Sequence, residues 1–309
     1  MTTSNPVTWL YVPGDRPERF AKAVASGADV VIIDLEDAVA PVRKDEARRN
    51  AVAYLRDRPD VSCQVHVRVN DPATARGRAD VAAVGDLADA VRLPKVESAA
   101  VIDALPGAAP AYALLESAAG IVAAGEIAGH PRVAGVALGE QDLSAELGIT
   151  DEQAMNHLRL QVVLAAAAAG LPPVPMSVYP DIKDEAGLLA SCRVGRALGL
   201  FGRTAIHPRQ IPAIRRAFRP TEEEAARAAE VVAAAERAEA AGIGAVALPD
   251  GRFVDAPIVA RARRTVDLAR RLADPPPSDS PPSAPLPSDP LPSNPLPSDP
   301  PSDRPVSGT

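Results

Sequence analysis

From residue 8 onward, short apolar runs alternate with stretches of helical periodicity, and several of the runs end on charge or lead directly into it. The runs fall at 8–13 (TWLYVP), 29–35 (DVVIIDL), 63–69 (CQVHVRV), 90–95 (AVRLPK), 111–116 (AYALLE), 133–138 (VAGVAL), 174–179 (VPMSVY) and 203–207 (RTAIH), each the length of a strand. Between them, PERFAKAVASG opens on Pro and closes on Gly, KDEARRNAVAYLRD alternates faces, and DEQAMNHLRLQVVLAAAAAG runs to a Gly stop. Strands separated by helices pair in parallel, because only a long crossover can return the chain to the same end of a sheet. Eight such units predict an α/β fold of the (β/α)8 TIM-barrel type. An open doubly wound sheet fits less well, because VPGDRP follows the first strand where a G-x-G-x-x-G turn would be needed.

After the eighth unit comes PRQIPAIRRAF, then the acidic-start, Ala-rich helix TEEEAARAAEVVAAAERAEAAG, a short loop or hairpin, and a helix with a basic end. The expected organisation is a barrel over 1–218, a helical lid extension over 219–273, and a tail over 274–309. The tail repeats Pro, Ser, Asp and Leu, which offers too little apolar surface to offset chain ordering and predicts a disordered, partly polyproline segment.

Composition narrows the functional classes. The 309 residues carry 33 Lys and Arg against 40 Asp and Glu, a formal charge of -7. No basic block with interleaved aromatics is present, which argues against nucleic acid as a partner. The N-terminus lacks a signal-peptide pattern and no apolar run reaches the roughly 18 residues of a membrane span, so the expected setting is the cytoplasm. Cys63 and Cys192 lie far apart with no CxxC partner, and are expected as core residues.

In a barrel of this kind the chemistry sits where strands end at their carboxyl side. The second run ends in Asp34, Glu36 and Asp37, the third in Arg68 and Asn70, the fourth in Lys95 and Glu97, the fifth in Glu116, and the sixth leads into Glu140 and Asp142. Charges gathered on one rim need a cation, a substrate or each other to offset desolvation. Glu116 and Asp142, oxygen donors from adjacent strands, suit a hard divalent ion that keeps several waters, and Mg2+ fits best. His66, His130, His157 and His207 show no zinc spacing. Arg68 shares a face with Gln64 and His66 and can offer forked donors to a carboxylate or a developing oxyanion. A salt bridge from Arg68 to DLED is the competing reading, and for Asp37 and Glu97 it is a helix cap.

LYVPGDRPERFAKA, DLEDAV, VRVN, LPKVES, LLESAAGI, GEQDLSAELG and AIHPRQI, in that order, followed by GRFVDAPIVARA, together resemble the HpcH/HpaI aldolase and citrate lyase β-subunit family, which includes malyl-CoA lyases. That resemblance implies a (β/α)8 barrel assembled as a homotrimer or hexamer, and magnesium held by Glu116 and Asp142. It implies that Arg68 binds substrate and stabilises an enolate, that Glu116 also meets substrate, and that Asp34, Glu36 and Asp37 order the water around the metal. Asp255 would be an acid delivered to a neighbouring subunit, and Arg16, Arg19 and Lys22 would contact coenzyme A. The implied activity is cleavage or formation of a 3-hydroxyacyl-CoA thioester, with an acyl-CoA and an α-keto acid as partners. Malyl-CoA-type thioester hydrolysis, a citrate lyase β subunit acting on a carrier protein, and a noncatalytic acyl-CoA binder are the alternatives. Where many relatives carry an Asp at the end of the seventh strand, this chain has Met176.

Overall fold

The computed structural model describes residues 5–240, 246–247 and 253–273. The predicted tail over 274–309 lies outside the described residues. Seven parallel strands form one sheet: β1 (Thr8–Pro13), β2 (Val30–Asp34), β3 (Gln64–Arg68), β4 (Ala90–Leu93), β5 (Ala111–Leu115), β6 (Val133–Leu138) and β7 (Arg203–Ala205). Their order is β6-β5-β4-β3-β2-β1-β7, so consecutive strands are neighbours from β1 to β6 and β7 flanks β1. The helices are α1 (Phe20–Val24), α2 (Lys44–Asp57), α3 (Ala75–Val84), α4 (Ala99–Asp103), α5 (Ala118–Val122), α6 (Ala124–Ala128), α7 (Glu140–Leu147), α8 (Glu152–Ala168), α9 (Glu185–Ala197), α10 (Gln210–Phe218), α11 (Glu222–Ala240) and α12 (Ala256–Arg271).

The predicted strand at 174–179 is reduced to a single parallel bridge between Met176 and Arg203, which corrects the expectation of eight equal strands. Pro172, Pro173 and Pro175 have no N–H to donate, so a continuous ladder cannot form there. The segment instead bonds β7 and its approach through Phe201 N–H to Val174 O (2.9 Å), Met176 N–H to Gly202 O (3.0 Å) and Thr204 N–H to Met176 O (3.0 Å). Toward β6 its link is the Ser177 hydroxyl, which donates to Leu138 O at 2.7 Å. The Met176 side chain is buried against α9, since a Cβ on Gly195 would lie 2.3 Å from its Cε. Met176 therefore faces away from the strand ends where an acid was expected.

Alternation along the strands divides the sheet. Val31, Ile33, Val65, Val67, Val91, Leu93, Ala113 and Leu115 join the helices in the main apolar core. The opposite face carries Trp9, Val30 and Ile32 in a small separate cluster, with Tyr11 packed on it. Side-chain caps start several helices: Thr74 for α3, Ser117 for α5, Asp151 for α8 and Asp184 for α9 each accept backbone N–H bonds. α11 and α12 pack on each other around Ala228, Val231, Ala234, Val254 and Ala262. Two antiparallel strands, β8 (Val246–Ala247) and β9 (Phe253–Val254), precede α12; residues 248–252 lie outside the described residues. No helix among the described residues is long and apolar enough to cross a membrane.

Candidate active site

The register of the sheet sets Asp34 of β2 opposite Arg68 of β3, Arg68 opposite Arg92 of β4, and Arg92 opposite Tyr112 of β5. Asp34 grips Arg68 with both oxygens, accepting from Nε at 2.7 Å and Nη2 at 2.6 Å. The same carboxylate accepts N–H bonds from Glu36 (2.9 Å) and Ala38 (3.0 Å), which fixes the turn after β2. Arg68 also lies 4.8 Å from the centre of the Tyr11 ring. The predicted ion pair between Arg68 and DLED thus exists, and it leaves Nη1 turned toward Glu36 (3.0 Å) and Asp37 (3.3 Å). Burial works against the Arg68 charge, but Asp34, Tyr11 and Glu36 outweigh it and hold the guanidinium protonated.

Glu36 is 4 % exposed. Arg68 Nη1 sits off the line of a hydrogen bond to it, so both Glu36 oxygens are buried with no hydrogen-bond donor. Burial pushes its carboxyl up to about 8, with Asp37, Glu116 and Asp34 adding to the effect and Arg68 opposing it.

Glu116 follows β5 and is 7 % exposed. Its Oε1 accepts the Lys95 N–H at 2.8 Å. Gly139, after β6, makes room for it: a Cβ there would lie 2.3 Å from Glu116 Cβ and 2.6 Å from Oε2. Burial, and after it Asp142 in the first turn of α7, raise the Glu116 carboxyl to about 7 against the opposing pull of the Lys95 N–H and Arg68. Glu116 and Asp142 line an open cleft of about 360 Å³ with Asp71, Ala73, Lys95, Glu97, Val101, Ser117 and Glu146.

Glu116 and Asp142 on one cleft wall, with Asp142 raising the proton affinity of Glu116, and a third carboxylate, Glu36, with orphaned oxygens beside them, form a donor set suited to a hard divalent cation. Among the described residues no group of three or more His, Cys, Asp or Glu converges as a ready-made metal cage. The residues fit an ion that takes two protein oxygens and fills its other positions with water or substrate.

The structure brings Asp34, Glu36, Asp37, Arg68, Glu116 and Asp142 into one electrostatic cluster, and leaves other sequence candidates outside it. Arg16 and Lys22 are exposed near α1, and Arg19 lies 4.0 Å from Glu18. Asp255 caps α12, accepting the Ile258 N–H at 3.2 Å, and is not among the residues lining this cleft. Glu140 turns away from Asp142 and pairs with buried Arg159 of α8 at 2.6 Å. His66 is buried against Tyr112 (4.9 Å) and bonds Gln64 at 2.9 Å; burial, then Arg92, lowers it to about 3. Residues of the site that the sequence did not single out are Tyr11, which shares the face of Trp9, and Glu146, one helical turn beyond Asp142.

Residues 8–208 match the HpcH/HpaI aldolase/citrate lyase family. The chain belongs to that family. It is 40% identical over 272 residues to a (3S)-malyl-CoA thioesterase of Cereibacter sphaeroides, covering 85% of this chain and 94% of the relative. It is 32% identical over 302 residues to an L-malyl-CoA/beta-methylmalyl-CoA lyase of the same species, at 85% and 94% coverage. The crystal structure of protein CitE from Mycobacterium tuberculosis, in complex with magnesium, acetoacetate and coenzyme A, superposes with a TM-score of 0.74. That structure shares 38% identity and covers 87% of this chain and 100% of its own.

Proposed function

We propose that the cleft carries out Mg2+-dependent, reversible carbon–carbon cleavage of a 3-hydroxyacyl-CoA such as malyl-CoA or citramalyl-CoA, giving an acyl-CoA and an α-keto acid. The observation that carries this reading is buried Glu116 beside Asp142, with Arg68 close enough to lower its proton affinity. Family membership and the magnesium, acetoacetate and coenzyme A of the CitE structure support it. The reading takes the sheet and the bridged segment at 174–179 as an eight-unit barrel, and a CoA thioester fits the cytoplasmic setting expected from the sequence.

Glu116 and Asp142 would hold the ion, with Asp34, Glu36 and Asp37 behind them. When bound, a divalent ion supplies Lewis-acid polarisation of the keto acid's carbonyl. In the cleavage direction the 3-hydroxyl loses its proton as the C2–C3 bond breaks. The electron pair passes into the thioester as an enolate, and the α-carbon takes up a proton. Arg68, preorganised by Asp34, offsets the enolate charge. Asp255 would serve as the acid in the cleft of an adjacent copy, within a homotrimer or hexamer. Arg16 and Lys22 would meet the CoA phosphates.

Hydrolysis of the same thioester is the second reading, favoured by the malyl-CoA thioesterase relative. Product analysis on malyl-CoA and citramalyl-CoA separates the two: cleavage yields keto acid with no free thiol, hydrolysis yields thiol with no keto acid. Activity of either kind is expected to vanish with chelator and in Glu116→Ala. Activity that survives both treatments rejects the metal-assisted chemistry.

A further inference from the structure

Among the described residues Lys95 is the one non-glycine residue with a positive φ, at 54°. A side chain is retained here in a backbone conformation that glycine adopts freely, and such outliers gather where geometry serves function. Its N–H holds Glu116 Oε1 at 2.8 Å. The neighbouring Val96 is fully buried and donates its N–H to Leu114 O at 3.3 Å, so the loop is fixed on both sides of that contact. The ammonium is differently placed. It is 55% exposed and stops 3.8 Å from Glu36 Oε1, beyond hydrogen-bond reach. In the cleft it is the single cation, facing Asp71, Glu97, Glu116, Asp142 and Glu146.

We propose that Lys95 is a substrate-binding residue whose ammonium takes the carboxylate of the α-keto acid, while its backbone aims Glu116. The inference rests on the metal-assisted reading above. A keto acid that chelates a cation through its carbonyl and one carboxylate oxygen leaves the other oxygen free, and a half-exposed ammonium standing 3.8 Å from its nearest carboxylate is suited to meet it. On this reading the ammonium moves from the vicinity of Glu36 to the ligand.

Three variants separate the two roles. Lys95→Met removes the charge and keeps the positive φ, Lys95→Gly removes the charge and relieves the backbone, and Lys95→Arg restores a cation. In the condensation direction with Mg2+, Met and Gly are each expected to raise KM for pyruvate or glyoxylate about 10- to 100-fold, the loss of one charge-assisted hydrogen bond. The KM for acyl-CoA is expected to stay unchanged, Arg is expected to recover most of the loss, and Gly to raise the melting temperature. In a readout independent of turnover, the rise in melting temperature that pyruvate and Mg2+ produce in the wild type is expected to disappear in Lys95→Met. A keto-acid KM within threefold of wild type in both Met and Gly, with the pyruvate-induced rise intact, reduces Lys95 to a counter-charge for Glu36 and overturns the proposal. Mn2+ binding read by electron paramagnetic resonance distinguishes the parent failure: if Glu116→Ala still binds Mn2+ and turns over, the metal site is misassigned and both readings fall.

Discussion

Along β3, Val65 and Val67 turn outward to the helices while Gln64, His66 and Arg68 turn inward, and the same division runs through β2, β4 and β5. The outward face is continuous hydrocarbon, each buried Val, Leu or Ile contributing roughly 1.5–3 kcal/mol. The inward face carries Asp34, His66, Arg68, Arg92 and Tyr112, and there satisfaction is uneven: Asp34 and Arg68 are fully engaged with each other, while His66 and Arg92 keep buried nitrogens without partners. Arg92 is 1% exposed, lies 5.5 Å from the Tyr112 ring, and has two buried nitrogens without hydrogen-bond partners. Burial lowers its proton affinity, and Arg68 adds to that while Tyr11 and Tyr112 oppose it. One sheet therefore separates two tasks: its convex side holds the fold together, and its concave side keeps charge in place at a cost to stability.

The strongest way to break the comparison is Arg68→Ala. The change is expected to lower kcat/KM about 10³-fold, as losing a preorganised oxyanion donor does. It also strands Asp34 and Glu36 as unpaired buried acids, at about 3–5 kcal/mol of stability by denaturant titration. Normal activity in Arg68→Ala would mean the guanidinium is purely structural. On the other face, Ile33→Ala is expected to cost about 2–5 kcal/mol in the same titration while the folded fraction keeps its kcat. A large loss of kcat there would show that the faces are not independent.

The pH dependence sharpens the contrast. The Glu36 carboxyl is raised to about 8 in the folded chain from an ordinary value near 4.5. Its contribution is therefore fully present below pH 4.5 and is lost as pH rises through 8. Without added metal, melting temperature is expected to fall between pH 5 and pH 9 by an amount corresponding to on the order of 3 kcal/mol, and Glu36→Gln to flatten that slope. An identical slope in the variant would assign the effect to other groups.

Much of this division is legible in the sequence, since period-two alternation separates Gln64, His66 and Arg68 from Val65 and Val67. Charge at or just after the ends of several apolar runs is also what points to Asp34 and Glu116, and both lie at strand ends, Asp34 as the last residue of β2 and Glu116 directly after β5. What escapes is what depends on partners far along the chain. In GEQD, positions two apart on a helix point in different directions, and only Arg159 on α8 decides that Glu140 turns back while Asp142 enters the cleft. The run VPMSVY reads as a strand because its apolar content is right, whereas Pro175 within it and Pro172 and Pro173 just before it remove the donors a ladder needs. Lys95 bears no mark of its left-handed backbone, since the usual signal for one is Gly or Asn. Tyr11 carries the right parity but no hint of the guanidinium it meets.

The proline-bearing segment at 174–179 is held differently on its two sides. Parallel pairing runs from β6 through β1 to β7, with one register shift at Ala111/Tyr112 between β5 and β6, whereas among the described residues the hydrogen bond from the 174–179 segment to β6 is made by a side chain, the Ser177 hydroxyl. This seam therefore lies one strand away from Glu116, which follows β5 and packs against Gly139 just after β6, and several strands away from the Asp34–Arg68 pair.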